Sequence, residues 1–530
     1  MKNKLLHLSL LLPLLLSGCS LFDDFDISPS NSSDSSSKDS SSSDDKPTRP
    51  TTGETTIEVY ASNDVHGQIM PEGDRVGLLK YATYFNEMGK KDNTLLLDQG
   101  DTWQGSIYSN YNHGSLLTDV MNYIHYDARS VGNHDFDWGV EYLEHNTAAS
   151  YQGYSTPVLA GNVYDFNFDT KQIGNIQQSN IGRKSVTYIL ENGVKVGILG
   201  GIGSDQITSI SSMFTREIAF ANHIDFIKEE ATHLRNDEKC DVIIASIHTG
   251  QESLLGNNLK NYVDLVLCGH THRNESTNEG KLYYSQNDAY TESFGHITLT
   301  FDYSTNKITK TVVDTIYASQ INNAVTQIDS GIQNLYNTYV YECTEAANEV
   351  LANNVTGTFY YGSSNGYAED LMATAIFDQA SKEGYGDICL SYVNDARHVL
   401  PSGSWKYSNL YEAFPFDNEV YIAEVTGEEF MYEIRNWNYI YRNPNFTTNS
   451  IDPNQKYKIA IIDYVYFHTN KYRYYDYFQT TGGSSTITLS KNYRVILKDW
   501  LKENGYNNGK PLNPQDYSRS LWQHDRTVFY

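Results

Sequence analysis

Short apolar runs alternate with amphipathic segments between residues 56 and 270. The runs have the length of buried strands, and the segments between them repeat apolar residues at helical spacing. The runs are Ile57–Ala61, Thr94–Leu97, Ala128–Val131, Val194–Gly200, Asp241–Ser246 and Val263–Cys268. The amphipathic segments include Val76–Met88, Leu116–Ile124 and Ala221–Leu234. This alternation predicts an α/β layered domain.

The pattern changes further along the chain. Ile297–Ile316 alternates apolar and polar residues, which predicts strands that close the domain at an antiparallel edge. Residues 318–351 place apolar side chains at helical spacing and predict a connector helix. Residues 352–530 then form a second α/β region, with a helix predicted over Ala368–Lys382. We therefore expect one domain over residues 56–317 and another over 352–530, joined by that helix.

The first residues indicate export. Lys2 and Lys4 precede the apolar run Leu5–Leu16, which is too short to span a bilayer and suits a signal-peptide core. Leu-Ser-Gly-Cys then ends at Cys19 and resembles the lipobox of bacterial lipoproteins, in which the cysteine is lipidated. Residues 20–55 are rich in Ser and Asp and predict a disordered tether. We expect a signal peptide over residues 1–19 and an outward-facing protein anchored to the bacterial membrane. An ordinary cleaved signal is the alternative.

The net charge restricts the binding partners, and the cysteine pattern indicates what the thiols do. The formal net charge of -26 makes a nucleic-acid polymer a poor partner, because binding its backbone rests on a basic surface. A small anionic substrate stays open, since bound metal ions reverse the field locally. The five cysteines form no CxxC pair. Cys240 and Cys268 lie in or beside apolar runs and are predicted to be buried structural thiols.

Five of the apolar runs end in residues that can bind metal. Because the carboxyl ends of the strands in an α/β sheet lie side by side, these residues would converge on one crevice. The set is two aspartates, one asparagine and four histidines: Asp64, His66, Asp101, Asn133, His248, His270 and His272. It suits zinc, manganese or iron better than calcium. Seven ligands exceed what one ion needs, so we predict two divalent ions that share a carboxylate.

These motifs resemble a known superfamily. The order D-x-H, G-D-x-x-x-G, G-N-H-D, H-x-G and G-H-T-H resembles the calcineurin-like metallophosphoesterases. Within that superfamily, SNDVHG, LLLDQGDTWQGS, SVGNHDFDWG and CGHTH are similar to the 5'-nucleotidase family. The resemblance covers nearly all of residues 56–315. It implies a four-layer αββα sandwich, followed by the connector helix and a C-terminal substrate-binding domain of α/β type.

The resemblance also implies roles for individual residues. One ion would be held by Asp64, His66, Asp101 and His272, and the other by Asp101, Asn133, His248 and His270. His134 and Asp137 match the family's catalytic pair, with a metal-bound hydroxide as the attacking group. The family more often has glutamate at the position of Asp135, and we expect aspartate to be tolerated there.

The C-terminal region carries the resemblance to a nucleotide site. In Y-E-A-F-P-F-D-N, Phe416 matches a residue that stacks on the nucleobase and Asn418 one near the base or ribose. Asn394 and Arg397 match a substrate-binding segment with a phosphate-contacting arginine, although N-D-A-R is one residue shorter than N-G-G-x-R and lacks its glycines. The second stacking aromatic stays open among Tyr466, Phe467 and Tyr474. A plain core position is the alternative for Phe416.

We therefore expect an extracellular, metal-dependent hydrolase that cleaves phosphate monoesters of nucleotides. Two alternatives use the same scaffold: a cyclic-nucleotide phosphodiesterase and a nucleotide-sugar hydrolase. A third is a non-catalytic surface-binding lipoprotein. The oligomeric state stays open.

Overall fold

The computed structural model describes residues 49–167, 172–178, 181–215, 217–362, 366–428, 440–442, 452–466 and 487–517. The predicted signal peptide, Cys19 and most of the tether lie outside the described residues.

The strands follow the predicted apolar runs closely. In chain order they are β1 (Glu54–Ser62), β2 (Thr94–Asp98), β3 (Ala128–Ser130), β4 (Val158–Leu159), β5 (Val163–Asn167), β6 (Gln172–Gln178), β7 (Ser185–Ile189), β8 (Lys195–Ile202), β9 (Ile218–Phe220), β10 (Val242–His248), β11 (Leu265–Cys268), β12 (Glu275–Glu279), β13 (Leu282–Gln286), β14 (Ser293–Asp302), β15 (Lys307–Tyr317), β16 (Val350–Val355), β17 (Leu390–Tyr392), β18 (Gly403–Lys406), β19 (Val420–Thr426), β20 (Ile440–Arg442), β21 (Lys456–Ile462) and β22 (Ile487–Thr488).

The helices lie between these strands. They are α1 (Leu78–Gly89), α2 (Ile107–Asn110), α3 (Ser115–Tyr123), α4 (Val140–Ala148), α5 (Ser212–Thr215), α6 (His223–Asn236), α7 (Ala318–Ala324), α8 (Ser330–Ala347), α9 (Tyr367–Lys382), α10 (Tyr407–Ala413), α11 (Asp463–Tyr466) and α12 (Tyr493–Glu503). The helix predicted over Ala368–Lys382 is α9.

Two six-stranded sheets form the first part of the molecule. Their orders are β15-β14-β1-β2-β3-β4 and β12-β13-β11-β10-β8-β7. The central strands β1, β2 and β3 run parallel in one sheet, and β8, β10 and β11 run parallel in the other. The predicted antiparallel edge is the β14–β15 pair. A separate three-stranded sheet, β6-β5-β9, was not predicted from the sequence pattern.

Alternation of side chains along the strands builds four layers. Leu95 and Leu97 of β2 point between the two sheets, where they meet residues such as Ile244 of β10. Leu96 points to the other face and packs in the helical layer with Phe85 of α1. Helix α6 covers the outer face of the second sheet. The predicted αββα arrangement is therefore confirmed.

A second hydrophobic core joins most of the buried residues from Ala347 to Leu512. It is built on the sheet β20-β17-β21-β19-β22, with α9 and α12 packed together beside it. The hairpin β16–β18 adds a short two-stranded sheet.

The single connector helix predicted over 318–351 is wrong. Helix α7 ends at Ala324, where Val325 takes an extended conformation, and α8 begins after Asp329. The Asp329 carboxylate accepts hydrogen bonds from the N–H groups of Gly331 and Ile332, which makes it an N-cap that starts a new helix. The stretch ends in a strand, because residues 350–355 pair with β18.

The cysteine prediction is confirmed. Cys240 and Cys268 are free and buried, as are Cys343 and Cys389. Their burial raises the pKa of each thiol above its ordinary value. They are therefore structural apolar residues and leave the metal chemistry to histidine and carboxylate.

Candidate active site

The seven predicted ligands meet where five strands end. They follow or end β1, β2 and β3 of one sheet and β10 and β11 of the other. Two groups could each hold a metal ion, the first being Asp64, His66 and His272, and the second Asp101, His248 and His270. Within each group the ligand atoms lie within 4.8 Å of one another. These are the residues that the family resemblance divides between two ions, apart from Asn133 and the sharing of Asp101.

Asp101 and Asn133 place their oxygens between the histidines. Asp101 Oδ2 lies 3.1 Å from His248 Nε2 and 3.8 Å from His66 Nε2. Asn133 Oδ1 lies 3.1 Å from His248 Nε2 and 2.9 Å from His270 Nδ1. Asp101 therefore has the position expected of a carboxylate shared by two ions.

Backbone carbonyls fix the orientation of two histidine rings through their Nδ1 atoms. The Nδ1 of His66 donates to the carbonyl of Gln104 at 3.0 Å, and that of His248 donates to the carbonyl of Gln99 at 2.8 Å. A neutral ring held in this way presents a lone pair at Nε2. The Nε2 of His66 lies 3.0 Å from the Nε2 of His272, and that of His248 faces the Asp101 carboxylate.

This donor set fits cations. Lone pairs that face one another, or face carboxylate oxygens, repel unless positive charge lies between them. Asp101 Oδ2 is buried at ion-pair distance from His248 Nε2. Burial acts to lower the pKa of His248, but the carboxylate of Asp101 outweighs it and raises that pKa to about 10, so a proton on this ring supplies the positive charge that a metal ion would replace. Burial raises the pKa of Asp64 to about 7. Burial also lowers the pKa of His270 and of His272 to about 4, so both rings are neutral and able to ligate at neutral pH.

The backbone at the ligands is strained. Asp64, His66, Asp101, His270 and His272 all have positive φ, between 49° and 80°. Non-glycine residues rarely adopt this region, and such strain persists only where the surroundings enforce it.

Glycine enables the close approach that this backbone requires. A Cβ on Gly105 would lie 1.9 Å from the carbonyl oxygen of His66, and one on Gly132 would lie 2.2 Å from Asp101 Oδ1. The glycines of these motifs therefore clear space for the ligands.

Asp135 organises the turn behind the ligands. It accepts from the Arg129 guanidinium at 2.6 Å and from the N–H groups of Gly132 and Thr102 at 2.8 and 3.2 Å. Asp135 therefore holds this loop in place, although its side chain is one methylene shorter than the glutamate that the family more often has here.

His134 and Asp137 lie beside the cluster. Nδ1 of His134 is 2.7 Å from Asp137 Oδ2, and the N–H of His134 donates to Asp101 Oδ1 at 2.7 Å. Burial acts to lower the pKa of His134, but the carboxylates of Asp137 and Asp101 outweigh it and raise the pKa above its ordinary value. Nε2 of His134 accepts from Arg397 Nη2 at 3.1 Å.

A cavity of about 710 Å³ opens next to this pair. All four residues predicted to bind substrate line it: Asn394, Arg397, Phe416 and Asn418. The Phe416 ring lies 5.5 Å from the His134 ring at an angle of 28°, and Arg397 lies 5.3 Å from its centre. Phe416 is only partly buried, so it belongs to the cavity wall as well as to the edge of the core.

The second stacking aromatic is not Tyr466. That side chain is buried in the core, where it stacks on Tyr421 with ring centres 6.3 Å apart. Phe467 and Tyr474 lie outside the described residues. Tyr464 lines the cavity instead, together with Phe214 and Tyr361. The helical turn α11 explains the difference, because residues two apart on a helix point to roughly opposite sides, and only Tyr464 lines the cavity.

Sequence reasoning also missed Tyr290 and Arg75. Tyr290 packs on the rings of His66 and His272, with centres 5.2 and 5.3 Å apart, and Arg75 lies 4.6 Å above it. Both residues line the cavity. Tyr290 and the following Thr291 have positive φ, which is an outlier for the β-branched Thr291. No spacing in the sequence predicts this conformation.

Comparisons with known proteins agree with this geometry. Residues 57–274 match the calcineurin-like phosphoesterase family, and residues 347–516 match the C-terminal domain of 5'-nucleotidases. The chain is 25% identical over 420 residues to the trifunctional nucleotide phosphoesterase protein YfkN of Bacillus subtilis, a match that covers 72% of this chain and 28% of that protein. It is 27% identical over 220 residues to an apyrase of Tabanus yao, covering 40% of this chain and 36% of the apyrase.

A solved structure shows the same fold. The 5'-nucleotidase precursor from Thermus thermophilus superposes with a TM-score of 0.67 at 16% identity, covering 86% of this chain and 97% of that one. The two family matches together span most of the chain, which therefore belongs to the 5'-nucleotidase family of calcineurin-like metallophosphoesterases. This is a family of hydrolases with a dinuclear metal centre. The match spans only about a third of each curated relative described above.

Within the described residues, no helix has the length and apolar character needed to cross a membrane.

The ligand geometry predicts a stoichiometry. Protein loaded with zinc or manganese is expected to retain about two ions per chain after gel filtration, measured by elemental mass spectrometry. Combining His248→Ala with His270→Ala removes two predicted ligands of one ion and should leave about one. His233→Ala is the matched control, because that histidine is exposed on α6 and pairs with Asp237. Equal metal content in parent and double variant would contradict the assignment.

Proposed function

We propose that this protein is an exported two-metal phosphohydrolase that releases phosphate from nucleoside monophosphates. One observation carries the proposal: His272 of the ligand cluster, the His134–Asp137 pair and the residues Arg397 and Phe416 line a single cavity. A volume of about 710 Å³ is within the range of small-molecule sites and accommodates a nucleotide.

The seven ligands would hold the two ions as the family resemblance implies, with Asp101 shared between them. Bound divalent ions supply Lewis acidity toward a phosphoryl oxygen and a water acidified enough to attack near neutral pH. The chain's own contribution is to fix the ligands on strained, close-packed turns, so that little reorganisation accompanies the reaction.

His134 is the residue that contacts the phosphoryl group in this proposal. Asp137 accepts from Nδ1 and fixes the ring, leaving Nε2 directed at Arg397. A phosphate entering the cavity would take over the Arg397 donor, for which a guanidinium fork is well suited. Nε2 of His134 would then be free to take up a proton from solvent, which the raised pKa of this ring favours, and to donate it in a hydrogen bond to the charge that develops on the phosphoryl or leaving oxygen.

Phe416 and its neighbours would receive the nucleoside. Phe416 offers a stacking surface for a base, and Tyr464, Tyr361 and Phe214 are the candidates in the cavity wall for the second stacking aromatic. Asn418 has a buried Nδ2 for which the described residues provide no hydrogen-bond partner. That donor is available to a base or ribose oxygen.

The charges of the cavity favour substrates with few phosphates. Among its described lining residues are two guanidinium groups, Arg75 and Arg397, against four carboxylates: Asp137, Glu292, Asp395 and Asp417. Two bound ions compensate the phosphate at the reacting position, but further phosphates would meet this acidic wall. A monophosphate is therefore preferred over a triphosphate.

Two other substrate classes are the alternatives to a nucleoside monophosphate. The N-D-A-R segment lacks the glycines of its family, so the phosphate-binding loop differs and a cyclic nucleotide or a nucleotide sugar is an alternative substrate. A non-catalytic surface-binding lipoprotein is disfavoured because all seven ligand residues are present and converge.

Phosphate release from a panel of AMP, ATP, cyclic AMP and a nucleotide sugar tests the proposal. We expect kcat/KM to be highest for AMP and lower for ATP. Removing the metals should abolish turnover, and restoring them should recover it. His134→Ala should lower kcat by about 10²- to 10⁴-fold, a smaller loss than metal removal causes.

The control is His145→Ala, which alters an exposed histidine on the neighbouring helix α4 and should leave kcat unchanged. If cyclic AMP or the nucleotide sugar gave the highest kcat/KM, a rival substrate class would replace the proposal. Metal-loaded parent that releases phosphate from none of them would favour the binding lipoprotein, and equal kcat in parent and His134→Ala would refute the role of that histidine.

We further propose that the protein is lipid-anchored at Cys19 and faces outward. The support is the run Leu5–Leu16, the lipobox-like residues before Cys19 and the polar stretch after it. When the full chain is expressed in a bacterium, it should partition into the detergent phase of Triton X-114. Cys19→Ala should shift it to the aqueous phase or leave it unprocessed, whereas Ser35→Ala in the tether should not. Detergent partition that does not depend on Cys19 would contradict the anchor.

A further inference from the structure

Glu369 is a carboxylate in the first turn of α9 with no exposed surface. Its Oε1 accepts hydrogen bonds from the backbone N–H groups of Gly362 at 3.1 Å and of Ala396 at 3.0 Å. These N–H groups belong to two different loops, one before α9 and one after it. Tyr361 of the first loop and Arg397 of the second line the cavity. One buried oxygen therefore ties together two parts of the cavity wall.

A carboxylate near a helix N-terminus can serve the helix alone through its dipole. The partners of Glu369 argue for another role, because both lie outside α9. Complete burial of a carboxylate is unfavourable, and here it raises the pKa of Glu369 to about 7. Within the described residues Oε2 has no hydrogen-bond partner. If the only role of this position were to stabilise α9, an apolar side chain would fill it without the desolvation free energy that a buried carboxyl group costs.

The loop that carries Arg397 has a sequence that needs this support. It reads Asn394-Asp395-Ala396-Arg397 and lacks a glycine pair. Its backbone is held at two successive residues, since Ala396 donates to Glu369 and the N–H of Arg397 donates to the carbonyl of Ala413 at 2.8 Å. From this fixed backbone the guanidinium reaches His134.

We propose that Glu369 is a positioning residue, which clamps the loops of Tyr361 and Arg397 and thereby sets the place of the Arg397 guanidinium beside His134. The inference rests on the proposed function, because that function gives Arg397 its contact with the substrate phosphate. Glu369 itself touches no substrate and acts through the two loops.

Steady-state kinetics with AMP test the role. Glu369→Ala removes the acceptor and is expected to raise KM by about tenfold with kcat changed by less than about threefold, as expected when two hydrogen bonds are lost. Glu369→Gln keeps an acceptor oxygen and should restore KM to within about threefold of the parent. If the alanine variant does not fold, Glu369→Met keeps the side-chain volume without an acceptor and should show the same rise in KM.

A double-mutant cycle shows whether the effect passes through Arg397. In an Arg397→Ala background, Glu369→Ala should change KM by less than about twofold. Asp378→Ala is the matched control on the same helix, because its carboxylate bonds Trp500 Nε1 at 2.7 Å, away from the cavity lining. It should lower Tm without changing KM.

Amide hydrogen exchange separates the clamp from the proposed function, since it needs no substrate. Glu369→Ala should speed exchange in peptides that cover residues 360–362 and 394–397, and Glu369→Gln should not. If the parent hydrolyses no ester while exchange changes in this way, the clamp stands and the function fails. Unchanged exchange, or an active Glu369→Ala variant with the KM of the parent, would overturn the positioning role.

Discussion

The buried carboxylate of Asp101 and the histidine nitrogens around it set the requirement that the rest of the structure meets. Oδ2 of Asp101 is buried, 3.1 Å from Nε2 of His248 and 3.8 Å from that of His66. A buried carboxylate crowded by imidazole rings requires positive charge beside it, either a proton on His248 or bound metal ions. Two sheets deliver this arrangement by ending parallel strands at the same place, and the turns there accept unfavourable backbone conformations because neighbouring glycines make room.

The second core supplies what the metal cluster lacks. Metal ions held by the cluster would supply charge and Lewis acidity without selectivity, whereas the wall around Phe416 and Arg397 offers a shaped and partly apolar surface. The hydrogen bond from Arg397 to His134 couples the two parts at the reacting position. The buried carboxyl of Glu369 then links that arginine to the architecture behind the wall.

The sequence predicts those elements that depend on interactions between residues close together in the chain. Strand ends carrying His66, Asp101 or His248 are visible because apolar runs stop at polar motifs. The break between α7 and α8 was missed because the apolar residues keep helical spacing across it. The break shows only in the folded structure, where the Asp329 carboxylate accepts hydrogen bonds from the N–H groups of Gly331 and Ile332 and caps a new helix. Other features, such as the cavity face of Tyr290 or the clamp at Glu369, depend on loops that meet only after folding. The predicted domain boundaries and the individual site roles stay predictions that experiments must decide.

Anomalous diffraction from crystals of manganese- or zinc-loaded protein tests the central claim most directly. The account predicts two anomalous peaks about 3.5–4 Å apart, with the Asp101 carboxylate between them. One peak should lie among Asp64, His66 and His272, and the other among Asn133, His248 and His270. A single peak, or two peaks away from these side chains, would contradict the two-metal centre and the function built on it.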